Sequence, residues 1–71
     1  MTELIKFELK NKIARITLNR PEKRNALTFE MLEELYRIGK NLKSINHLSA
    51  VVIKGSGKNF SSGIDINNFS L

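Results

Sequence analysis

The sequence predicts an α/β fold in the order β-β-loop-α-β-loop: an N-terminal β-hairpin, one amphipathic helix and a following buried strand. Three observations predict it. Apolar residues alternate near the N-terminus, recur every three or four positions in the middle, and run together at Ala50-Val51-Val52-Ile53. These are the periods of a half-covered strand, a helix and a strand covered on both faces. A strand, a helix and another strand in succession suit a right-handed crossover between parallel neighbours.

Taken in order, Leu4 to Leu9 reads LIKFEL, with Ile5, Phe7 and Leu9 alternating against Lys6 and Glu8. Lys10-Asn11-Lys12 supplies a tight turn, because Asn tolerates positive φ. Ile13 to Leu18 is a second β-prone run, and two such runs around a short polar link read as a hairpin. Asn19 to Leu27, NRPEKRNAL, is a loop: Pro21 pushes Arg20 out of the helical region and Asn25 adds turn character. Thr28 can cap the helix that follows by accepting from a free amide of its first turn. That helix is predicted from Phe29 to about Ser44, with Met31, Leu32, Leu35, Ile38, Leu42 and Ile45 along one apolar stripe. Glu30, Glu33 and Glu34 come early and Arg37, Lys40 and Lys43 late, the order a helix dipole favours. Glu33 and Arg37 have the spacing of an ion pair. Ser49 to Lys54 is the buried strand and Gly55 to Asn59 a loop. Phe60 to Leu71 begins as a turn and enters a short helix near Ile64. One helix can shield only one face of the 50–53 strand, so the sequence is written as if more protein follows.

Composition limits the function classes. A chain of 71 residues is one domain at most and buries only about 60% of the surface its unfolded form exposes. It has no cysteine and one histidine, His47, which excludes disulfide stapling and thiolate or histidine-cluster metal sites. The net charge of +5 favours anionic partners, but the cations are scattered and the densest group is Arg20, Lys23 and Arg24. No apolar stretch approaches the ~20 residues of a membrane-spanning helix. The segment MTELIKFELK lacks the apolar core of a signal peptide. A soluble, cytoplasmic protein with no membrane and no nucleic-acid partner is the expectation.

Most candidate motifs have simple structural readings. Gly55-Ser56-Gly57-Lys58 has the wrong spacing for a phosphate loop and no Ser or Thr after the lysine. His47 reads as a solvated histidine, the three early glutamates as a solvated helix face, and Tyr36 as a packing residue. Phe60-Ser61-Ser62-Gly63-Ile64-Asp65-Ile66 is different. Gly63 permits unusual backbone angles and close approach of a ligand, and Asp65 can cap the turn that follows. From the residues alone, this segment is either a loop-to-helix junction or a site where free amides meet an anion or oxyanion.

Two stretches resemble the enoyl-CoA hydratase/isomerase, or crotonase, superfamily. Ile13-Ala14-Arg15-Ile16-Thr17-Leu18-Asn19-Arg20-Pro21-Glu22-Lys23-Arg24-Asn25-Ala26-Leu27 is similar to its N-terminal signature. Val51-Val52-Ile53-Lys54-Gly55 followed by Phe60 to Ile66 is similar to its second, a strand and then G-x-D. The resemblance covers nearly the whole chain and implies the first, incomplete portion of a crotonase-type ββα spiral fold, with residues 1–71 as a single partial domain. It implies a coenzyme A thioester as substrate, no permanently bound cofactor, no metal, and a role in fatty acid metabolism as a lyase or isomerase.

Residue by residue, the loop Glu22-Lys23-Arg24-Asn25-Ala26 is implied to line the coenzyme A groove, with Ala26 near the thioester arm. Arg20, Lys23 and Arg24 become candidates to face the nucleotide. Ser62, Gly63, Ile64, Asp65 and Ile66 complete the implied binding set. The Ile64 backbone N–H is implied to be one of two oxyanion-hole donors, unpaired and facing a groove beside the Ala26 loop. Such a donor stabilises the enolate charge that builds on the thioester oxygen. Many members carry Ala where Ile64 stands, so the reaction within the family is left open between hydration and isomerisation. The second donor, the acid/base carboxylates and the helices that build the family's trimer-based homo-oligomers lie downstream of Leu71 in the family. The chain alone is therefore expected to be inactive. Two alternatives come from other classes: a non-catalytic module that binds a partner through an uncovered sheet, and a small basic nucleic-acid binder, which lacks a stacking strand.

Overall fold

Strands β1 (Ile5–Lys10) and β2 (Ile13–Leu18) form the expected hairpin, from Ile5 opposite Leu18 to Lys10 opposite Ile13. The computed structural model describes residues 3–68; residues 1–2, and the 69–71 end of the predicted C-terminal segment, lie outside them. The hairpin link places both Asn11 (φ 53°) and Lys12 (φ 65°) in the left-handed region. Two positive φ angles give a two-residue turn the twist its flanking strands need. Lys12 is also held from outside, because its carbonyl accepts the Ser49 N–H at 2.8 Å.

Helix α1 (Phe29–Leu42) opens at Thr28, whose extended backbone lets its hydroxyl oxygen accept the Met31 N–H at 3.1 Å. It ends two residues short of the predicted limit. There the Ser44 and Ile45 amides bond Asn41 and Leu42, three residues back, which tightens the last turn and breaks the helical ladder. Strand β3 (Ala50–Gly55) then pairs parallel with β2, from Ile13 opposite Ala50 to Leu18 opposite Gly55. The sheet order is β1-β2-β3.

Residues opposite one another in a sheet share a face. Ile5 and Phe7 therefore lie with Leu18 and Ile16, and these with Gly55 and Ile53. The helix packs on that face over β1 and β2. Ile5, Ile16 and Leu18 meet Met31 and Ile38 in the core, with Leu4, Leu27, Leu35 and Leu42 packed around them. Phe7 and Leu9, further along β1, stay half exposed.

Three sequence expectations need correction. β3 is not buried: Val51, Val52 and Ile53 are 41–50% exposed, because α1 packs over β1 and β2 and leaves both faces of the third strand open. Glu33 does not pair with Arg37; Glu34, one turn earlier on the same side, does so at 3.8 Å, in a solvated pair. Tyr36 does not pack into the core: it is 67% exposed, with Lys40 Nζ 5.5 Å above its ring centre, a cation–π contact.

Candidate functional site

β2 and β3 run parallel, and the loops that leave their carboxyl ends meet. Outside the carboxyl ends of parallel strands is where α/β sheets present ligand sites. The first loop tightens at Pro21–Lys23 into a single 3₁₀ turn, then passes through left-handed angles at Arg24 (φ 51°) and Asn25 (φ 56°).

Asn25 is fully buried and every polar group of its amide is used. Its Oδ1 accepts the Arg20 N–H at 2.8 Å, and its Nδ2 donates to the carbonyls of Ser56 at 2.9 Å and Asn59 at 2.8 Å. The second loop folds back tightly enough that a Cβ at Gly55 would run into the carbonyl oxygens of Asn59 and Phe60. A glycine is required there by space.

Four consecutive carbonyls of the first loop are then taken up. Arg24 O accepts the Ser62 N–H at 3.0 Å, and Asn25 O the Ser61 hydroxyl at 2.8 Å. Ala26 O accepts Arg20 Nη1 at 3.1 Å, and Leu27 O the Asp65 N–H at 2.9 Å. In return Gly63 O accepts the Leu27 N–H at 2.8 Å, so Leu27 and Ile64 form a short parallel bridge. Gly63 takes φ 98° to make this path, and its own N–H donates to Ser61 Oγ at 3.0 Å.

Among the described residues, the Ile64 N–H enters none of these hydrogen bonds. Its direction follows from peptide planarity. In a trans peptide the C=O and N–H point opposite ways, and the Gly63 C=O points at Leu27. The Ile64 N–H therefore points away from Leu27. A ligand oxygen accepting from it approaches from that outer side, not from between the loops beside Ala26 as the sequence suggested. The expected short helix near Ile64 is absent among the described residues: Ile64 lies in the bridge, and residues 66–68 form a turn.

Asp65 carries two roles. Its Oδ1 accepts the Asn67 N–H at 3.1 Å, capping that turn as expected. Its Oδ2 lies 2.8 Å from Arg20 Nη1, with the two side chains 16% and 17% exposed. The Arg20 hydrogen bond, foremost, holds the Asp65 carboxyl below the usual aspartate value of 3.8; the Asn67 N–H and the charges of Arg20 and Lys23 act the same way, against a smaller desolvation effect. Arg20 is thus committed within the protein and is not free to face a nucleotide.

The other sequence candidates divide. Ala26, Gly63, Ile64 and Asp65 come together at the bridge, and Ser62 joins them through Arg24. Glu22, Lys23 and Arg24 stand exposed on the outer turn, and Ile66 is exposed on the far side of Asp65. The sequence reading did not identify the buried Asn25 or the bridging Ser61. Asn25 was legible as a turn residue within the implied groove loop, but nothing local says that its amide meets carbonyls more than thirty positions later.

A pocket of about 420 Å³ reaches Gly63 and Ser61 and is lined by Leu18, Leu27, Leu35, Ile53 and Phe60. A cleft of about 470 Å³ between β1 and the start of α1 counts Glu3, Glu30 and Glu34 among its lining residues; three carboxylates in its lining repel an anionic ligand. Among the described residues, no group of three His, Cys, Asp or Glu is placed to hold a metal ion, and no helix is long and apolar enough to cross a membrane.

The family model described as enoyl-CoA hydratase/isomerase matches residues 8–70. A protein named probable enoyl-CoA hydratase 1, peroxisomal, of Arabidopsis thaliana is 41% identical over 54 residues, 76% of this chain and 20% of its own length. Enoyl-CoA delta isomerase 2 of Rattus norvegicus is 41% identical over 58 residues, 82% of this chain and 15% of its own length. The crystal structure of an enoyl-CoA hydratase/isomerase from Xanthobacter autotrophicus Py2 superposes with a TM-score of 0.84 at 40% identity, over 94% of this chain and 25% of that one. The chain thus spans a quarter or less of these relatives. The peroxisomal name of the plant protein lends no support to the cytoplasmic expectation.

Proposed function

The chain belongs to the enoyl-CoA hydratase/isomerase family, and from that premise we propose that it binds the thioester end of an acyl-coenzyme A. The observation that carries the proposal is the Ile64 N–H, which has no partner among the described residues while the amides on either side of it, Gly63 and Asp65, are both bonded. A donor already held in place stabilises charge on an acceptor without reorganising. On a thioester, that charge is the enolate oxygen formed when the α-proton leaves or water adds at the β-carbon. A donor of this kind, removed from a complete site, costs about 2.7–4 kcal/mol of barrier.

In this role Ile64 is half of an oxyanion hole, and Gly63 lets the ligand approach closely. Ser62 and Ile66 flank the donor in sequence, Ala26 backs the bridge from the side away from the ligand, and Lys23 and Arg24, with Glu22 between them and Pro21, offer exposed cations to the phosphates of coenzyme A. Asp65, the carboxylate next to the donor, is a poor general base, because Arg20 holds it ionised and occupied. The isolated chain is therefore proposed to bind without turnover. Fatty acid metabolism, a single partial domain over residues 1–71, and trimer-based assembly with further polypeptide belong to the same proposal.

Titration of the ¹⁵N-labelled chain with acetoacetyl-CoA, alongside free coenzyme A, tests it. The Ile64 amide resonance moves with the thioester and not with coenzyme A alone. An unmoved Ile64 resonance at saturating thioester overturns the assignment, and hydration of crotonyl-CoA above the buffer rate overturns the inactivity.

A second function is favoured by one observation, the exposed apolar β3. An open sheet edge is a template for pairing with another chain, so the same fold can act as a non-catalytic module docking through Val51 to Ile53. Light scattering after size exclusion separates the two: a stable monomer at high concentration argues against the docking module.

A further inference from the structure

Resting on the proposed role of the Ile64 amide, we infer that Arg20 is the positioning residue that steadies that amide in the direction the Gly63 O–Leu27 bond gives it, by joining the two loops at the bridge. One guanidinium nitrogen does this. Arg20 Nη1 donates to Ala26 O at 3.1 Å and to Asp65 Oδ2 at 2.8 Å, residues on the two strands of the Leu27–Ile64 bridge.

The bridge itself is too short to fix an angle. It comprises two hydrogen bonds, Leu27 N–H to Gly63 O and Asp65 N–H to Leu27 O, on which the segment can rock about its own axis. Gly63, at φ 98° and with open space where a Cβ would stand, adds no steric stop on the N-terminal side. On that side Ser61 and Ser62 are tied to Asn25 and Arg24. On the C-terminal side, Asn68 Oδ1 accepts the Phe29 N–H at the start of α1 at 2.9 Å, and next to the bridge itself Arg20 ties Asp65 to the first loop. Its own backbone is anchored, since the Arg20 N–H donates to the buried Asn25 side chain and the Arg20 O accepts the Asn25 N–H, both at 2.8 Å. The guanidinium therefore reaches Asp65 from a fixed base. A planar fork with several donors suits two acceptors at once, whereas a lysine ammonium acts as a point charge.

The test reads the amide's direction in the whole chain, without requiring a ligand. Residual dipolar couplings are measured on ¹⁵N-labelled wild type, Arg20→Met and Asp65→Asn in a weakly aligning medium. Asp65→Asn keeps the shape and the Asn67 acceptor while removing the charge, and it decides the matter if Arg20→Met does not fold. The Ile64 coupling is expected to change in both variants while those of β1, β2, β3 and α1 keep their wild-type values, with Arg20→Lys intermediate. Thioester binding weakens about tenfold with one lost hydrogen bond, and binding of free coenzyme A stays within about twofold. An unchanged Ile64 coupling in a folded variant overturns the inference, as does a change spread evenly over the sheet. If wild-type Ile64 ignores the thioester yet its coupling depends on Arg20, the binding proposal fails and the positioning role stands.

Discussion

Around Met31 the chain is held by apolar side chains from three elements, while around Asn25, equally buried, it is held by hydrogen bonds to backbone from two loops. The core beneath α1 depends on volume: Ile5, Ile16, Leu18 and Ile38 gain by excluding water, in no required direction. The loop junction depends on direction, because four carbonyls and an asparagine amide each need a donor or acceptor in one place. Non-directional packing tolerates exchange of one apolar residue for another of similar size. A buried polar group deprived of its partner costs about 1–3 kcal/mol. A fold can thus be robust in one half and exacting in the half that presents a ligand site.

The largest effect is expected from Met31→Ala, which empties the centre of the core and costs about 2–5 kcal/mol, a large part of what holds a chain this size. Urea melts followed by tryptophan-independent circular dichroism measure it, and Met31→Leu should cost under about 1.5 kcal/mol. If the two substitutions cost the same, the core is not governed by volume. Gly55→Ala comes next. Its added Cβ meets two backbone oxygens that cannot rotate away, an overpacking cost of about 1–3 kcal/mol. Amide exchange should rise at 59–65 more than in α1; a uniform rise would mean that the two regions open together.

Thr28→Ala removes the acceptor for the Met31 N–H at a cost of about 1 kcal/mol, and Thr28→Asp should restore most of it. The smallest effect is acid loosening of the junction. Asp65 has a lowered carboxyl pKa in the folded chain, so its contribution is fully present above the ordinary aspartate range near 3.8 and is lost as pH falls through the lower folded value. Chemical shifts of Asp65 and Ile64 should move together below that range and ahead of Met31. Core resonances that move first would invert the comparison.

What the sequence made legible follows the same division. The hairpin, the Thr28 cap, the apolar stripe of α1 and the parallel return of β3 are written in local periods, and local periods report packing against a neighbour. The period did not say how wide the neighbour is. Val51 to Ile53 read as buried because unbroken apolar runs normally are, yet one helix of fourteen residues covers β1 and β2 and no more. At the site, Gly63 and Asp65 stood out because their backbone and charge preferences are intrinsic. The buried role of Asn25 and the internal pairing of Arg20 did not, since an asparagine in a loop and an arginine beside a proline look solvated until the partners at Ser56, Asn59 and Asp65 are known. Directional bonds across long separations leave no period in a sequence.

The parallel return of β3 also orders the folding of the chain. The hairpin of β1 and β2 closes through a two-residue turn, an event of about 1–10 μs. β3 can join only after the intervening loop and helix have been brought back alongside β2, with their chain entropy already lost before any ladder bond forms. β3 is therefore expected to dock after the hairpin, and since the second loop grows from its end, the Ile64 amide is expected to acquire its orientation late in assembly, an order that pulsed hydrogen exchange checks.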